Sequence, residues 1–428
     1  MREMKDSGIE WIGIIPQDWQ LSKIGSLYTQ RNEKVSDKDY QPLSVTMQGI
    51  LPQLATAAKT DDGDNRKLVR VGDFAINSRS DRRGSCGISP LDGSVSLINI
   101  ILTPRTAMHP GYYNWLFHTT LFADEFYKWG HGIVADLWTT RWQEMKSITV
   151  PVPEYAEQER IAAFLNAECA EIDAVLEKTR ASIEEYKMLK QAVITQAVTK
   201  GIRGDRPMKD SGIEWIGDIP KEFETLQLKF LCKLITDGTH FSPSTVETGL
   251  PYITAGDVHG IGLDYNSAKR ISEEDFNLLV NQGCQPLKGD VLLVKDGATT
   301  GRVGFVDSDV PCVILSSVAM LRPADNINGH YLMYLLASYF LQNQILVSMA
   351  GSAMPRITLT KLVKYIGLLS PLSEQQEIAD YLDEKCADID ALVAKKQQYL
   401  TEIANYKKSL IYEYVTGKKE VKTSVLAD

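Results

Sequence analysis

Met4-Lys5-Asp6-Ser7-Gly8-Ile9-Glu10-Trp11-Ile12-Gly13 returns unchanged as Met208-Lys209-Asp210-Ser211-Gly212-Ile213-Glu214-Trp215-Ile216-Gly217. Ten identical residues at a shift of 204 positions mark an internal duplication, so the chain holds two copies of one structural unit. Further on, Gly72-Asp73-Phe74-Ala75-Ile76 with Gly84 and Gly87 aligns with Gly289-Asp290-Val291-Leu292-Leu293 with Gly301 and Gly304, now at a shift of 217. The second copy therefore carries 13 extra residues between its opening and this strand-like run.

Each copy reads as a globular head followed by a long helix, with boundaries at 1–152, 153–204, 205–370 and 371–428, the last segment including a tail. The first helix begins near Glu157-Gln158-Glu159-Arg160 and runs to about Val198, ahead of Gly201 and Pro207. The second begins at Glu374-Gln375-Gln376-Glu377, with Ser373 and Gln376 spaced as a capping box, and runs to about Val415 before Gly417. Apolar positions at Cys169, Ile172, Leu176, Ile183, Tyr186 and Val193, in steps built from three and four, form a heptad seam. Cys386, Ile389, Val393, Leu400, Ile403 and Leu410 repeat it. The two seams are expected to pack on each other.

Chain geometry selects the orientation. A helix of about 42 residues is roughly 60 Å long, and a parallel pair would oblige the second head to carry the chain back over that distance. An antiparallel pair asks almost nothing of it, and places each head at the amino end of its own helix, with Cys169 and Cys386 too far apart to bond. Lys190 and Lys407 hold matched seam positions late in each helix. Such a lysine either fixes register or, more commonly, carries its ammonium group out to solvent. Inside the heads, short apolar runs at 95–102 and 310–321 read as strands, and 112–122 and 331–347 as helices. The fold class is α+β: two strand-rich mixed heads joined by two long antiparallel coiled-coil helices in a pseudo-twofold repeat.

Composition, 44% hydrophobic and 24% charged over 428 residues, is that of a globular protein, with no apolar run of membrane-spanning length and no secretory leader. A cytoplasmic location follows as an expectation. The six cysteines lack C-x-x-C pairs and histidines at ligand spacing, which predicts buried thiols and no metal site. A net charge of −9 argues against a nucleic-acid binder. Yet residues 1–150 carry 17 acids and 17 bases, neutral enough for a local basic face.

Catalytic signatures are missing: there is no P-loop, nucleophile elbow or H-E-x-x-H. Gly260-Ile261-Gly262 lacks the third glycine of a dinucleotide loop and reads as a turn, and the carboxylates and lysine at 173–178 read as a solvated helix face. Two matched loops are more promising. Asn77-Ser78-Arg79-Ser80-Asp81-Arg82-Arg83-Gly84 and Lys295-Asp296-Gly297-Ala298-Thr299-Thr300-Gly301-Arg302 both follow a strand and combine glycine, hydroxyls and base. Backbone amides and hydroxyls of such loops can hold phosphates, and arginine can read the O6 and N7 edge of guanine. The bland alternative is a solvated turn neutralised by Asp81 or Asp296. Arg141 in Trp138-Thr139-Thr140-Arg141-Trp142 and Arg356 in Pro355-Arg356-Ile357 precede the helices and are equally balanced between backbone holding and core packing.

The whole chain resembles the DNA specificity subunit of type I restriction-modification systems. The resemblance rests on the paired openings with Ile15-Pro16 and Ile219-Pro220, on Asp237-Gly238-Thr239-His240 with Pro251-Tyr252-Ile253, on Gly289-Asp290-Val291-Leu292 leading to Asp296-Gly297-Ala298-Thr299, and on the Pro-then-Glu-Gln helix starts. It implies two target-recognition domains, each reading half of an asymmetric bipartite site in double-stranded DNA, and helices that set the gap and dock two modification subunits. Those subunits would methylate adenine with S-adenosylmethionine, and two restriction subunits using ATP and Mg would add cleavage. This chain would be non-catalytic and hold no cofactor. Candidate DNA contacts are Arg79, Ser80, Arg82, Arg83, Arg141, Thr239, His240, Lys295, Thr299, Thr300, Arg302 and Arg356. The first head departs from the pattern, having no Asp-Gly-Thr-His segment and Arg79-Ser80 where the second has Asp296-Gly297. A competing reading is a non-catalytic two-headed protein-interaction scaffold; a self-contained methyltransferase or nuclease lacks its motifs.

Overall fold

The computed structural model describes residues 2–53, 63–132, 138–259, 262–349 and 355–422. Gly260 and Ile261, half of the Gly260-Ile261-Gly262 turn, lie outside these described residues. The chain forms two compact units, Met1–Arg180 with Gln398–Asp428, and Ala181–Gln397. Each unit thus owns one head and part of both long helices, because the head cores are completed by helix ends. In unit 1, Ile161, Leu165, Leu410 and Val415 join the aromatic core around Phe74, Tyr112 and Phe117. In unit 2, Ile194, Val198, Ile378 and Leu382 join Val291, Tyr331 and Leu368.

The two heads share a four-stranded antiparallel sheet. In unit 1 its order is Tyr28–Arg31, Asn99–Pro104, Phe74–Asn77, Cys86–Ile88; in unit 2 it is Cys232–Asp237, Val318–Pro323, Val291–Val294, Val303–Phe305. The second strand of each pairs the third in register, Leu102 with Phe74 and Leu321 with Val291. All four residues of each third strand are buried, which is why these segments read as continuous apolar runs rather than alternating ones. The heads differ beside this sheet. Unit 1 turns tightly from Arg66–Val69 into Phe74–Asn77, whereas unit 2 places the helix Glu273–Asn281 between Lys269–Ile271 and Val291–Val294. That helix accounts for most of the 13 additional residues.

Two expected helices are in fact pairs. The segment at 112–122 is Pro110–Phe117 followed by Thr120–Lys128, and 331–347 is Gly329–Ala337 followed by Tyr339–Ser348. Thr119 and Ser338 sit between them in extended backbone and accept the Phe122 and Leu341 amides, so each polar residue ends one helix by capping the next. The run at 95–102 likewise splits into Gly93–Val95 and Asn99–Pro104, and 310–321 into Val313–Ile314 and Val318–Pro323.

The long helices span Tyr155–Lys200 and Leu372–Val415. Ser373 lies inside the first turn of the second, so the expected capping box does not form; the Glu374 and Gln375 amides go to the Pro371 carbonyl. The glutamines are used otherwise. Gln158 donates to the Pro153 carbonyl and accepts the His109 amide, both at 2.8 Å; Gln375 donates to the Ser370 carbonyl at 2.7 Å and accepts the Asn328 amide at 2.8 Å. Each buried side chain therefore ties the helix start to its own head. The preceding glutamates anchor the repeat: Glu157 binds Arg2 and the Trp19 indole, and Glu374, 1% exposed, binds Arg206 at 2.7 Å. Arg2 and Arg206 stand two residues ahead of the duplicated decapeptides, so the openings and the Glu-Gln helix starts form one joint in each unit.

The openings themselves fold identically. Met4–Asp6 pairs with Ile14–Pro16, and Met208–Asp210 with Asp218–Pro220. Asp6 and Asp210 accept the amides of Gly8 and Gly212, and both glycines take positive φ, of 67° and 73°. Each opening receives a helix terminus. Lys200 donates to the Ile216 carbonyl at 3.3 Å in unit 2, while Tyr412 and Lys418 donate to the Ile12 carbonyl at 3.0 and 2.6 Å in unit 1.

The helix segments pack antiparallel within each unit. Lys407 Nζ reaches Asp173 at 2.6 Å in unit 1, and Lys190 Nζ reaches Asp390 at 2.6 Å in unit 2. The pairs are the same pair repeated, since Asp173 and Asp390, like Lys190 and Lys407, lie 217 positions apart. The lysines leave the seam as snorkelling requires, but end on a carboxylate of the facing helix, which serves register as well. Along the seam Cys169, Leu176, Ile183, Cys386, Ile389 and Leu410 are buried, and Ile172, Tyr186, Val193, Val393, Leu400 and Ile403 half-buried. All six cysteines are buried free thiols; burial pushes the Cys232 and Cys312 thiols up to about 12. Because the aspartates are over half exposed, double-mutant cycles on Lys190–Asp390 should give a coupling of at most about 1 kcal/mol. A much larger coupling in denaturant unfolding would show that the pair is effectively desolvated.

Candidate nucleic-acid interface

Both matched loops leave the same edge of the central sheet and are closed by the same three backbone contacts. In unit 1 the Ser80 amide donates to the Trp138 carbonyl, the Thr140 amide to the Ser78 carbonyl, and Arg79 pairs with Thr139 in an isolated antiparallel bridge. In unit 2 the Gly297 amide donates to the Pro355 carbonyl, the Ile357 amide to the Lys295 carbonyl, and Asp296 pairs with Arg356. Every partner is displaced by 217 positions. The segments before the helices are thus the second limb of each loop site.

The frame is common and the chemistry is not. In unit 1 the cation sits on the first limb, as Arg79, with Thr139 opposite; in unit 2 it sits on the second, as Arg356, with Asp296 opposite.

In unit 1 the first limb makes a short 3-10 turn, Ser80–Arg82, with Arg79, Arg82 and Arg83 exposed. Arg83 is committed to Asp124 and lies 5.8 Å from the Tyr127 ring centroid, and Arg82 is 3.8 Å from Asp81. Among the described residues no ion pair engages Arg79. Tyr127 supports the loop from beneath, its phenol donating to the Asn77 carbonyl at 3.0 Å while burial raises its pKa. The Trp138 indole donates to the Tyr127 carbonyl at 2.8 Å, and Arg141 is exposed at the start of Trp142–Met145. A cleft of about 390 Å³ between Ser80, Arg83, Asp124, Lys128 and Trp138 adjoins these groups.

In unit 2 the structure adds the Asp-Gly-Thr-His segment to the loop. Lys295, 3% exposed, lies with its Nζ 2.9 Å from Asp296 and 3.2 Å from Asp237. Asp296 in turn meets Arg356 Nε at 3.1 Å, and His240 is 3.7 Å from Asp237. Gly238 explains its own presence, since a Cβ there would come within 1.9 Å of the Ile314 carbonyl oxygen. Three expected contact residues turn inward. Thr239 is buried and its hydroxyl accepts the Phe241 amide at 2.9 Å, Lys295 is buried in its ion pairs, and Arg302 donates to the Val258 carbonyl at 2.8 Å. The Thr300 hydroxyl likewise closes the turn on the Gly297 carbonyl at 2.6 Å. Arg356 and His240 remain largely exposed, with Thr299 partly so. Asp237, Tyr127 and Asp124 were not among the expected site residues. No motif marks the last two; Thr139 and Arg356, by contrast, share the 217-residue shift of the loops and could have been paired from sequence.

No group of three or more metal-ligating side chains occurs among the described residues. Nor is any described helix long and apolar enough to cross a membrane.

Residues 220–402 match the family model of the type I restriction modification DNA specificity domain. The chain is 24% identical to the type I restriction enzyme MjaVIII specificity subunit of Methanocaldococcus jannaschii, over 95% of this chain and 94% of that protein. It is 23% identical to the type I restriction enzyme EcoBI specificity subunit of Escherichia coli, over 64% and 59% of the two chains. A solved chain from a study of complex assembly and conformational transition of the type I R-M system superposes with a TM-score of 0.71 at 16% identity, covering 95% of this chain and 99% of that one. The duplicated heads, the antiparallel helix segments and these matches make the chain similar, in sequence and in fold, to type I restriction-modification DNA specificity subunits.

Proposed function

We propose that the two heads read the two halves of an asymmetric bipartite site in double-stranded DNA, while the long helices set the gap and dock two modification subunits. The observation that carries this reading is one loop frame built twice with its bridging cation on opposite limbs, Arg79 facing Thr139 and Asp296 facing Arg356. A scaffold for one repeated partner would have no use for that difference, which also makes a protein-only target the weaker reading. Arg79, Arg82 and Arg141 in the first head, and His240, Thr299 and Arg356 in the second, are the exposed candidates for contact. Ser80, Arg83, Thr239, Lys295, Thr300 and Arg302 shape the loops. The chain takes no part in bond making. Adenine methylation with S-adenosylmethionine falls to the modification subunits, and ATP- and Mg-dependent cleavage to two restriction subunits where these join. Positive surface from the modification subunits would offset the net charge of −9 at the phosphates.

Arg79→Ala in the reconstituted methyltransferase complex tests the assignment. It should lower discrimination at one half-site by about 5- to 150-fold and leave the other intact, the range of one bidentate arginine contact. Methylation of a library randomised in both half-sites reads the result directly. Equal loss at both half-sites would mean that Arg79 serves folding or general phosphate binding.

A further inference from the structure

The unit 2 loop holds a graded chain of charges with a buried end and an exposed one. Lys295 is enclosed and bridges Asp237 and Asp296, so neither carboxylate is left unbalanced and neither can swing away without stranding a buried ammonium group. Asp296 passes this order outward as an ion pair, its Oδ1 lying 3.1 Å from Nε of Arg356 without hydrogen-bond alignment, although the Arg356 side chain is 61% exposed. Among the described residues no hydrogen bond engages the two terminal nitrogens of Arg356. An exposed arginine tethered by charge on its Nε side keeps both terminal nitrogens for an outside acceptor pair. Such a fork fits two adjacent acceptors, as on the O6 and N7 edge of guanine. In unit 1 Ser78 stands at the Lys295 position and Arg79 at that of Asp296, so no equivalent chain of charges can form.

Resting on the two-half-site reading above, we propose that Arg356 reads a guanine in the half-site of unit 2 and that Asp296, locked by Lys295 and Asp237, is its positioning residue. Arg356 is then a specificity determinant rather than a phosphate anchor, since a phosphate contact would tolerate lysine and a two-acceptor base edge would not.

The test uses the full chain assembled with its modification subunits and a duplex library randomised across both half-sites, scored by methylation. Arg356→Ala should reduce preference at one position of one half-site by about 5- to 150-fold. Arg356→Lys should lose the same preference while the salt dependence of binding stays that of the parent, since the charge is kept. Asp296→Asn should weaken the preference at that same position several-fold, again without a change in salt dependence. Retention of the other half-site in every variant shows that the assembly is folded. The proposal is overturned if Arg356→Lys keeps the base preference, if losses spread evenly over the half-site, or if Asp296→Asn leaves that position untouched. A parent complex that shows no bipartite preference would instead sink the two-half-site reading itself.

Discussion

Deleting one heptad from both long helices, residues 176–182 and 393–399, is expected to abolish methylation of the original site and move it to sites whose gap is about three base pairs shorter. Seven residues of helix correspond to about 10 Å at 1.5 Å per residue, and base pairs are spaced by about 3.4 Å. The deletions are matched at 217 positions and lie between Asp173 and Lys190 on one helix and between Asp390 and Lys407 on the other. Both seam ion pairs and the joints at the helix ends are therefore retained, and removing a whole heptad keeps the apolar stripe in phase. On the original spacing only one head could engage at a time. Loss of the second binding event should cost about 10²- to 10⁴-fold in apparent affinity. Base preferences inside each half-site should stay the same. If they change while the gap does not, the helices do not measure the distance.

Glu374→Ala should destabilise unit 2 by about 3–5 kcal/mol, the cost of removing one partner of a buried ion pair. Its carboxylate is 1% exposed and meets Arg206 at 2.7 Å, and the Arg206 side chain is only 12% exposed, 5.0 Å from the Phe223 ring centroid. Truncation leaves that guanidinium without its counter-charge, at the joint between the duplicated opening and the helix start. Hydrogen exchange of the full chain should show protection falling at least about 100-fold in Val291–Val294 and Val318–Pro323, while Phe74–Asn77 is unchanged. Adding Arg206→Met should recover much of the loss, because an apolar group suits the vacated site. Glu157→Ala should cost less, since its partner Arg2 is 21% exposed and keeps a second carboxylate in Asp18. A loss below about 1 kcal/mol for Glu374→Ala would mean that water reaches the pair freely.

The duplicated decapeptide was legible as a repeat but not as a part. Its aspartate, serine and glycine are spent on a tight, self-capped turn, and its isoleucine carbonyls receive a helix terminus. Such a requirement is satisfied through backbone atoms, which a sequence does not display. The helix seams were legible because a period of seven survives in the side chains themselves. The expected Ser373 capping box fails for a related reason: the helix start is secured by the buried Gln375 and Glu374, whose partners lie far away in the chain.

In the heads, pattern identified the two loops but not which of their residues face outward. Lys295, Thr239 and Arg302 carry the residue types of a DNA contact and are consumed by the loop itself. That distinction depends on distances between segments more than fifty residues apart, such as Asp237 to Lys295.

What the sequence by itself determined is the duplication and the antiparallel helix pairing, since identity at a fixed shift and heptad periodicity are properties of residue order. Only the tertiary structure decided which cation each head presents. The same bridge joins Arg79 to Thr139 and Asp296 to Arg356, and side-chain exposure there is set by what a third, distant segment brings against the loop.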